Sequence, residues 1–202
     1  MSGSAGVFIV VEGSNGSGKS TVADTLVTRY ENRGRTVVRL REPGGTELGE
    51  AIRGGLLHKP HFHNMVEKAR LSLLLASRAE LVETAIRPAL EAGYVVLCDR
   101  FLDSTLVFQS VLGGLPFEDV LAFNDFITGG LYPDLTLTFL TDYATALKRM
   151  ASRPSDGDRF DGLDEAGFWR VYEGYTTLAD AYAWRTAVID ASGTAEETVD
   201  LA

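Results

Sequence analysis

Cysteine, histidine and tryptophan are scarce in this 202-residue chain, with one Cys, three His and two Trp. The lone Cys98 excludes an internal disulfide framework and fits a reducing, cytoplasmic setting. It closes an apolar run and reads as a buried, inert thiol. His58, His61 and His63 fall close together, but Lys59-Pro60 interrupt them and no carboxylate joins them, so a solvated loop fits better than a metal site. Long hydrophobic runs are missing too. The first, Val7 to Val11, stops at Glu12, too soon for a signal peptide or a membrane span. Positive charge is also short: 19 Lys and Arg face 28 Asp and Glu, a net charge of −9. That argues against a nucleic-acid surface. An acidic protein that handles polyanions must concentrate its arginines around one cleft.

What is present begins with Gly13-Ser14-Asn15-Gly16-Ser17-Gly18-Lys19-Ser20, a G-x-x-x-x-G-K-S phosphate-binding loop followed by Thr21. Before it lies the short apolar run suited to a buried strand. After it, Val22, Leu26 and Tyr30 recur every four residues, as one face of a helix would. Strand, glycine loop and helix together are the context that gives the motif meaning. The glycines let backbone N–H groups turn inward on a polyphosphate, and the helix start adds its own unpaired N–H groups. Lys19 is expected to reach the β- and γ-phosphates of ATP or GTP, and Ser20 to hold Mg²⁺.

Further strands are expected over 36–40, 94–98, 135–140 and 187–190. Helices are expected to follow the loop to near Gly34, then over 47–57, 66–85 (limited or kinked by Pro88), 101–112, 117–127 and 143–152, with a long amphipathic one through Phe168 and Leu178. Strands alternating with helices imply an α/β fold: a five-stranded parallel sheet with helices on both faces, the three-layer arrangement of P-loop NTPases. Residues 1–202 read as a single domain, with 153–165 a loop that lacks apolar periodicity.

Four further stretches carry a family resemblance. Arg41-Glu42-Pro43-Gly44-Gly45-Thr46 with Gly49-Glu50-x-Ile52-Arg53 resembles a signature of bacterial thymidylate kinases. So do Asp99-Arg100-Phe101-x-Asp103-Ser104-Thr105 through Gln109, and the Ala76-Ser77-Arg78 helix end. Asp158-Arg159-Phe160-Asp161 is similar to the tip of their lid loop. The matches keep their order over nearly the whole chain. The resemblance implies a nucleoside-monophosphate kinase that uses MgATP to convert dTMP to dTDP, and a homodimer packed through helices.

It also implies roles. Arg53 and Arg100 would meet the acceptor's α-phosphate, where planar guanidinium forks suit phosphate oxygens. Asp99, ending a strand, would help Ser20 hold the magnesium. Arg78 would donate to the pyrimidine 4-carbonyl, while Gln109 bonds the base edge with help from Thr105; Glu42 joins the same acceptor site. Arg153 and Arg159, with Arg149 beside them, would bring catalytic charge from the lid, because Gly16 stands where the P-loop of some relatives carries an arginine.

Three positions depart from the family pattern. Asn15 replaces a carboxylate, Leu74 replaces the thymine-stacking Phe, and Phe108 replaces a Tyr near the sugar. They leave open a kinase for a related or modified pyrimidine monophosphate. A P-loop ATPase or switch protein using water as acceptor is the different-class alternative, though the chain has no N-K-x-D guanine-reading motif.

Overall fold

The computed structural model describes residues 5–59, 62–152 and 162–202. Five strands, β1 (Val7–Gly13), β2 (Val37–Arg41), β3 (Val95–Asp99), β4 (Leu135–Leu140) and β5 (Thr186–Asp190), form one parallel sheet in the order β2-β3-β1-β4-β5. Parallel strands covered on both faces need near-continuous apolar sequence, which β1 and β3 have. Phe8 and Val10 of β1 and Val96 and Cys98 of β3 enter one core. Ile9 and Val11 of β1 and Val95 and Leu97 of β3 enter the other.

Helices α1 (Lys19–Glu31) and α9 (Ala195–Leu201) cover the second of these faces. The opposite face takes α3 (Glu67–Leu81), α4 (Arg87–Glu91), α5 (Leu102–Thr105) and α8 (Glu165–Ala181). Beside them lie α2 (Glu47–Ile52), α6 (Phe117–Thr128) and α7 (Tyr143–Ala151). Helix α6 ends where the sequence suggests, with Gly129 at φ 61°, the left-handed cap that glycine adopts without strain.

The structure corrects two readings. Pro88 does not end the helix begun at Glu67. The chain widens into a π-helical turn, Val82–Ile86, in which the Arg87 N–H reaches back five residues to the Val82 carbonyl, and it continues as α4 to Glu91. The wider turn accommodates the proline ring and its missing N–H. Helix α9 was not expected at all. It starts at a capping box in which the Thr194 side chain accepts from the Glu197 N–H and the Glu197 carboxylate accepts from the Thr194 N–H.

The strand order puts β1 in the middle, with β3 on one side and β4 on the other. The connection from β1 passes β3 to reach β2, while that from β3 passes β1 to reach β4, so a crevice opens at this reversal beyond the carboxyl ends of β1 and β3. The register Val11↔Asp99 and Arg41↔Asp99 brings the P-loop, Asp99-Arg100 and Glu42-Pro43 to that one edge.

A buried ion pair ties the segment between α8 and β5 to α5. Arg185 is 2% exposed and donates to Asp103 Oδ1 at 2.9 Å and Thr136 Oγ1 at 2.6 Å, while its guanidinium lies 4.6 Å from the Tyr182 ring centroid. Removing one partner of such a pair strands the other charge in apolar surroundings. Asp103→Ala should therefore lose about 3–5 kcal/mol of unfolding free energy, measured by urea denaturation. A loss below about 1 kcal/mol, the range of exposed pairs, would mean that Arg185 finds water instead.

Candidate active site

The P-loop begins with β1 and ends on α1. The cap of α1 is Gly18, which offers no side chain to its first N–H groups, so these remain available to an anion. Gly16 has φ 80°, and a Cβ there would stand 2.6 Å from the Ala146 carbonyl oxygen. No side chain fits at this position, so the loop cannot supply a cation from it. Lys19 is buried and donates to the Ser14 carbonyl at 2.7 Å, which folds its ammonium over the loop. A cavity of about 350 Å³ runs along Gly16 to Val22 and is closed by Arg149, Ala195 and Thr198. Its size suits a nucleotide.

The sequence places Arg149 in or beside the lid, and α7 ends two residues beyond it, at Ala151. It sits on α7 over this cavity and donates to the Ala191 carbonyl at 2.7 Å and to the Gly193 carbonyl. It pins the turn after β5 against the donor cavity. Arg153, Arg159 and the Asp158–Asp161 stretch lie outside the described residues.

Ser20 Oγ donates to Asp99 Oδ2 at 2.9 Å. Burial works against the ionised form of Asp99, but Lys19, then Arg100 and the Ser20 bond outweigh it and hold the carboxyl below its usual range. One hydroxyl and one ionised carboxylate form a hard oxygen pair. No group of three or more metal-ligating His, Cys, Asp or Glu occurs among the described residues. That donor set fits Mg²⁺, which keeps several waters and takes the rest of its shell from phosphate.

A second cavity opens across the P-loop from the first. It is lined by Glu42, Pro43, Arg53, Leu74, Arg78, Arg100, Thr105, Phe108 and Gln109, among others, including every acceptor-site residue expected from sequence. Arg53 reaches it from the π-helical turn Arg53–Leu57 after α2 and donates to the Pro43 carbonyl at 3.2 Å.

Arg78 is 2% exposed and tightly held. Its Nε donates to Glu42 Oε2 at 2.8 Å, Nη2 donates to Glu42 and to Thr105 Oγ1, and Nη1 donates to Asn124 Oδ1 at 2.8 Å. The guanidinium also stacks 4.6 Å from the Phe101 ring centroid. Of its five N–H groups, one on Nη1 has no partner among the described residues. Burial holds the Glu42 carboxyl above its ordinary range, against the opposing pull of Arg78 beside it. Gln109 is equally buried, yet its side-chain amide bonds no described residue.

Arg100 follows β3 in a left-handed conformation, φ 71°, which non-glycine residues adopt only under constraint. The constraint is visible: its N–H bonds the Val11 carbonyl at 2.9 Å, and its carbonyl accepts from the Cys98 thiol at 3.2 Å. This turn throws the side chain onto the P-loop. Nη1 donates to the Gly13 carbonyl at 3.1 Å, Ser104 Oγ at 3.0 Å and Tyr175 Oη at 3.2 Å; Nη2 donates to Asn15 Oδ1. The Phe108 ring lies 5.4 Å from the guanidinium.

Under Arg100 sits a carboxylate whose part in the site the sequence reading missed. Glu12 is 0% exposed and accepts from the Phe101 N–H at 2.8 Å, the Ser104 N–H at 3.1 Å, the Ser104 hydroxyl and the Tyr175 hydroxyl at 3.1 Å. Its signal in the sequence is a charged residue closing an otherwise apolar strand. Asn124 had one too, falling between Val120 and Thr128 on the buried stripe of α6. Burial, then the neighbouring Asp103, raises Glu12 to about 7, against the pull of Arg100 and its hydrogen bonds.

A carboxyl raised on folding favours the fold while it is protonated. That contribution is complete below the usual 4.5 and is lost as the pH rises through about 7. Glu12→Gln cannot ionise, so the difference in stability between wild type and variant should shift in the variant's favour between these values. Thermal melts at several pH values measure it; a constant difference would place the Glu12 ionisation outside this window.

A family model described as "Thymidylate kinase" matches residues 11–202. The chain is 42% identical over 192 residues to the thymidylate kinase of an Exiguobacterium strain, covering 95% of this chain and 90% of that one. It is 43% identical over 187 residues to that of Pseudomonas fluorescens, covering 93% and 88%. The crystal structure of thymidylate kinase from Ehrlichia chaffeensis superposes with a TM-score of 0.76 at 29% identity, over 97% of this chain and 94% of that one. Motifs, fold and cavities agree with these likenesses, and the chain belongs to the thymidylate kinase family.

Proposed function

We propose that the protein transfers the γ-phosphoryl group of ATP to dTMP, giving dTDP and ADP. The observation that carries this reading is the placement of Arg100 between the two cavities, touching Gly13 and Asn15 of the P-loop while lining the acceptor side.

The donor phosphates lie along the P-loop, met by the free N–H groups of α1 and by Lys19. The acceptor phosphate meets Arg53 and Arg100. An acceptor oxygen forms a bond to the γ-phosphorus as the bond to the ADP oxygen breaks, and no enzyme nucleophile is needed. Two highly charged phosphates must be held in line, so position and positive charge do most of the work. Ser20 and Asp99 would hold Mg²⁺, which when bound neutralises charge on the donor phosphates. Gly16 excludes a cationic side chain from the P-loop, so Arg153 and Arg159 are assigned the remaining charge on the transferred group. This assignment rests on their family motif. A homodimer in the cytoplasm is the setting we infer from the same resemblance.

Acceptor choice follows from Arg78. Its one unpartnered N–H favours a pyrimidine 4-carbonyl, and a 4-amino group would present donor to donor in a buried place. A coupled ADP-release assay tests the whole reading. ATP alone should be nearly silent, dTMP should restore turnover, and dCMP should show kcat/KM lower by about a hundredfold or more. Equal ADP release without an acceptor would make the protein an ATPase, and preference for a 5-substituted dUMP would move the native acceptor. In the same assay, a variant lacking both Arg153 and Arg159 should lose kcat with little change in the KM for ATP.

Leu74 offers a second check. It lines the acceptor cavity where aromatic relatives would stack the base. Leu74→Phe should tighten dTMP binding by up to about 1 kcal/mol, the low end of base–aromatic stacking, because leucine already gives apolar contact. An unchanged KM for every acceptor would remove Leu74 from the base site.

A further inference from the structure

We infer that Tyr175 is a positioning residue for Arg100: its hydroxyl, together with Ser104 and the buried Glu12, holds the guanidinium at the boundary between donor and acceptor cavities. This rests on the reading that Arg100 faces the acceptor phosphate.

The geometry is directional. Tyr175 lies in the middle of α8 and is 1% exposed. Its hydroxyl is 3.1 Å from Glu12 Oε2, 2.9 Å from Ser104 Oγ and 3.2 Å from Arg100 Nη1. Arginine has no acceptor, so the phenol oxygen must accept from Nη1 and turn its own hydrogen elsewhere. Glu12 Oε2 takes that hydrogen. Ser104 repeats the pattern, accepting from Nη1 at 3.0 Å and donating to the same carboxylate oxygen. Two hydroxyls thus stand between a buried carboxylate and a guanidinium, each with its lone pairs turned to the arginine.

The placement matters because a long arginine has many rotamers. Among the described residues, Nη1 donates to one P-loop carbonyl and to these two hydroxyls. The Gly13 carbonyl alone would let the guanidinium pivot toward the P-loop. The hydroxyls fix it from the opposite side and leave its Nη2 edge toward Asn15. Tyr175 is also the one part of this holder that comes from α8, the helix following residues 153–161. Burial, then Glu12 beside it, keeps its phenol well above the ordinary range, so it works as a neutral hydrogen bonder.

The test is a double-mutant cycle with purified protein, ATP and dTMP. Arg100→Lys alone should reduce kcat/KM for dTMP; wild-type kinetics there would overturn the acceptor-site reading itself. Tyr175→Phe should lower kcat/KM for dTMP by about threefold to tenfold, the range of one hydrogen bond, while leaving the KM for ATP within about twofold. In the Arg100→Lys background, Tyr175→Phe should add little, because the group it positions has gone. If Arg100→Lys is impaired but Tyr175→Phe behaves as wild type, the inference fails and the acceptor reading stands. It fails equally if Tyr175→Phe acts to the same extent in both backgrounds, or depresses ATP and dTMP parameters together with the melting temperature. Ser104→Ala removes the other hydroxyl on the same nitrogen and carries the same cycle should the tyrosine variant fold poorly.

Discussion

The parallel pairing of β1 with β3 is the constraint on which the site depends. The register Val11↔Asp99 sets the start of the P-loop beside the residues that must face it across the phosphates. Sliding β3 by one residue would turn Asp99 away from Ser20, and Val96 and Cys98 would exchange cores with Val95 and Leu97. Alternating burial on both faces forbids that slip. The hydrophobic pattern of two strands thereby sets Asp99 and Arg100 within hydrogen-bond distance of Ser20 and the P-loop.

Electrostatics complete what packing begins. The chain is acidic overall, yet Arg53, Arg78 and Arg100 share one cavity. Each is satisfied without a ligand, Arg53 by the Pro43 carbonyl, Arg78 by Glu42 and Asn124, Arg100 by P-loop and hydroxyl oxygens. Clustered cations that found no partners would repel one another and loosen the cleft. The partners differ with purpose. Arg78, proposed to read a neutral base, is neutralised directly by the buried Glu42 carboxylate. Around Arg100, neutral oxygens of Gly13, Asn15, Ser104 and Tyr175 accept its hydrogen bonds, and Glu12 stands one hydroxyl further away.

Most of the fold was legible from periodicity, because β1, β3 and β4 are apolar runs closed by punctuation and Gly129 stops α6 as its sequence says. The P-loop and the residues that line the second cavity were legible as motifs. Three things were not. The continuation of the long helix past Pro88 depends on a π turn, and no local pattern announces it. The contacts of Arg149, which the sequence puts in or beside the lid, follow from the turn after β5 folding back over α7. The hub of Glu12, Ser104 and Tyr175 draws on residues 163 positions apart, and only the folded chain brings a strand end and a late helix together. Capping at Thr194-x-x-Glu197 was readable and stayed unread, since a seven-residue helix has little apolar periodicity to attract notice.

Two of the three departures from the family pattern converge on one side chain. Asn15 and Phe108 both touch the Arg100 guanidinium, one through its amide oxygen and the other through its ring face. A carboxylate in place of Asn15 would form an ion pair with Arg100 and compete with the incoming phosphate for it. Asparagine keeps the hydrogen bond and omits the competing charge. Phe108 likewise gives up a hydroxyl near the sugar but keeps a π surface against the cation, which attracts it without a formal charge. At both positions the group that touches Arg100 is a neutral one. Leu74 lies apart from this pair, on the wall of the second cavity, where the proposed base would sit. The donor–acceptor boundary and the base pocket are thus separately adjustable in this fold, with Arg100 and its holders on one side and the Arg78 stripe of α3 on the other.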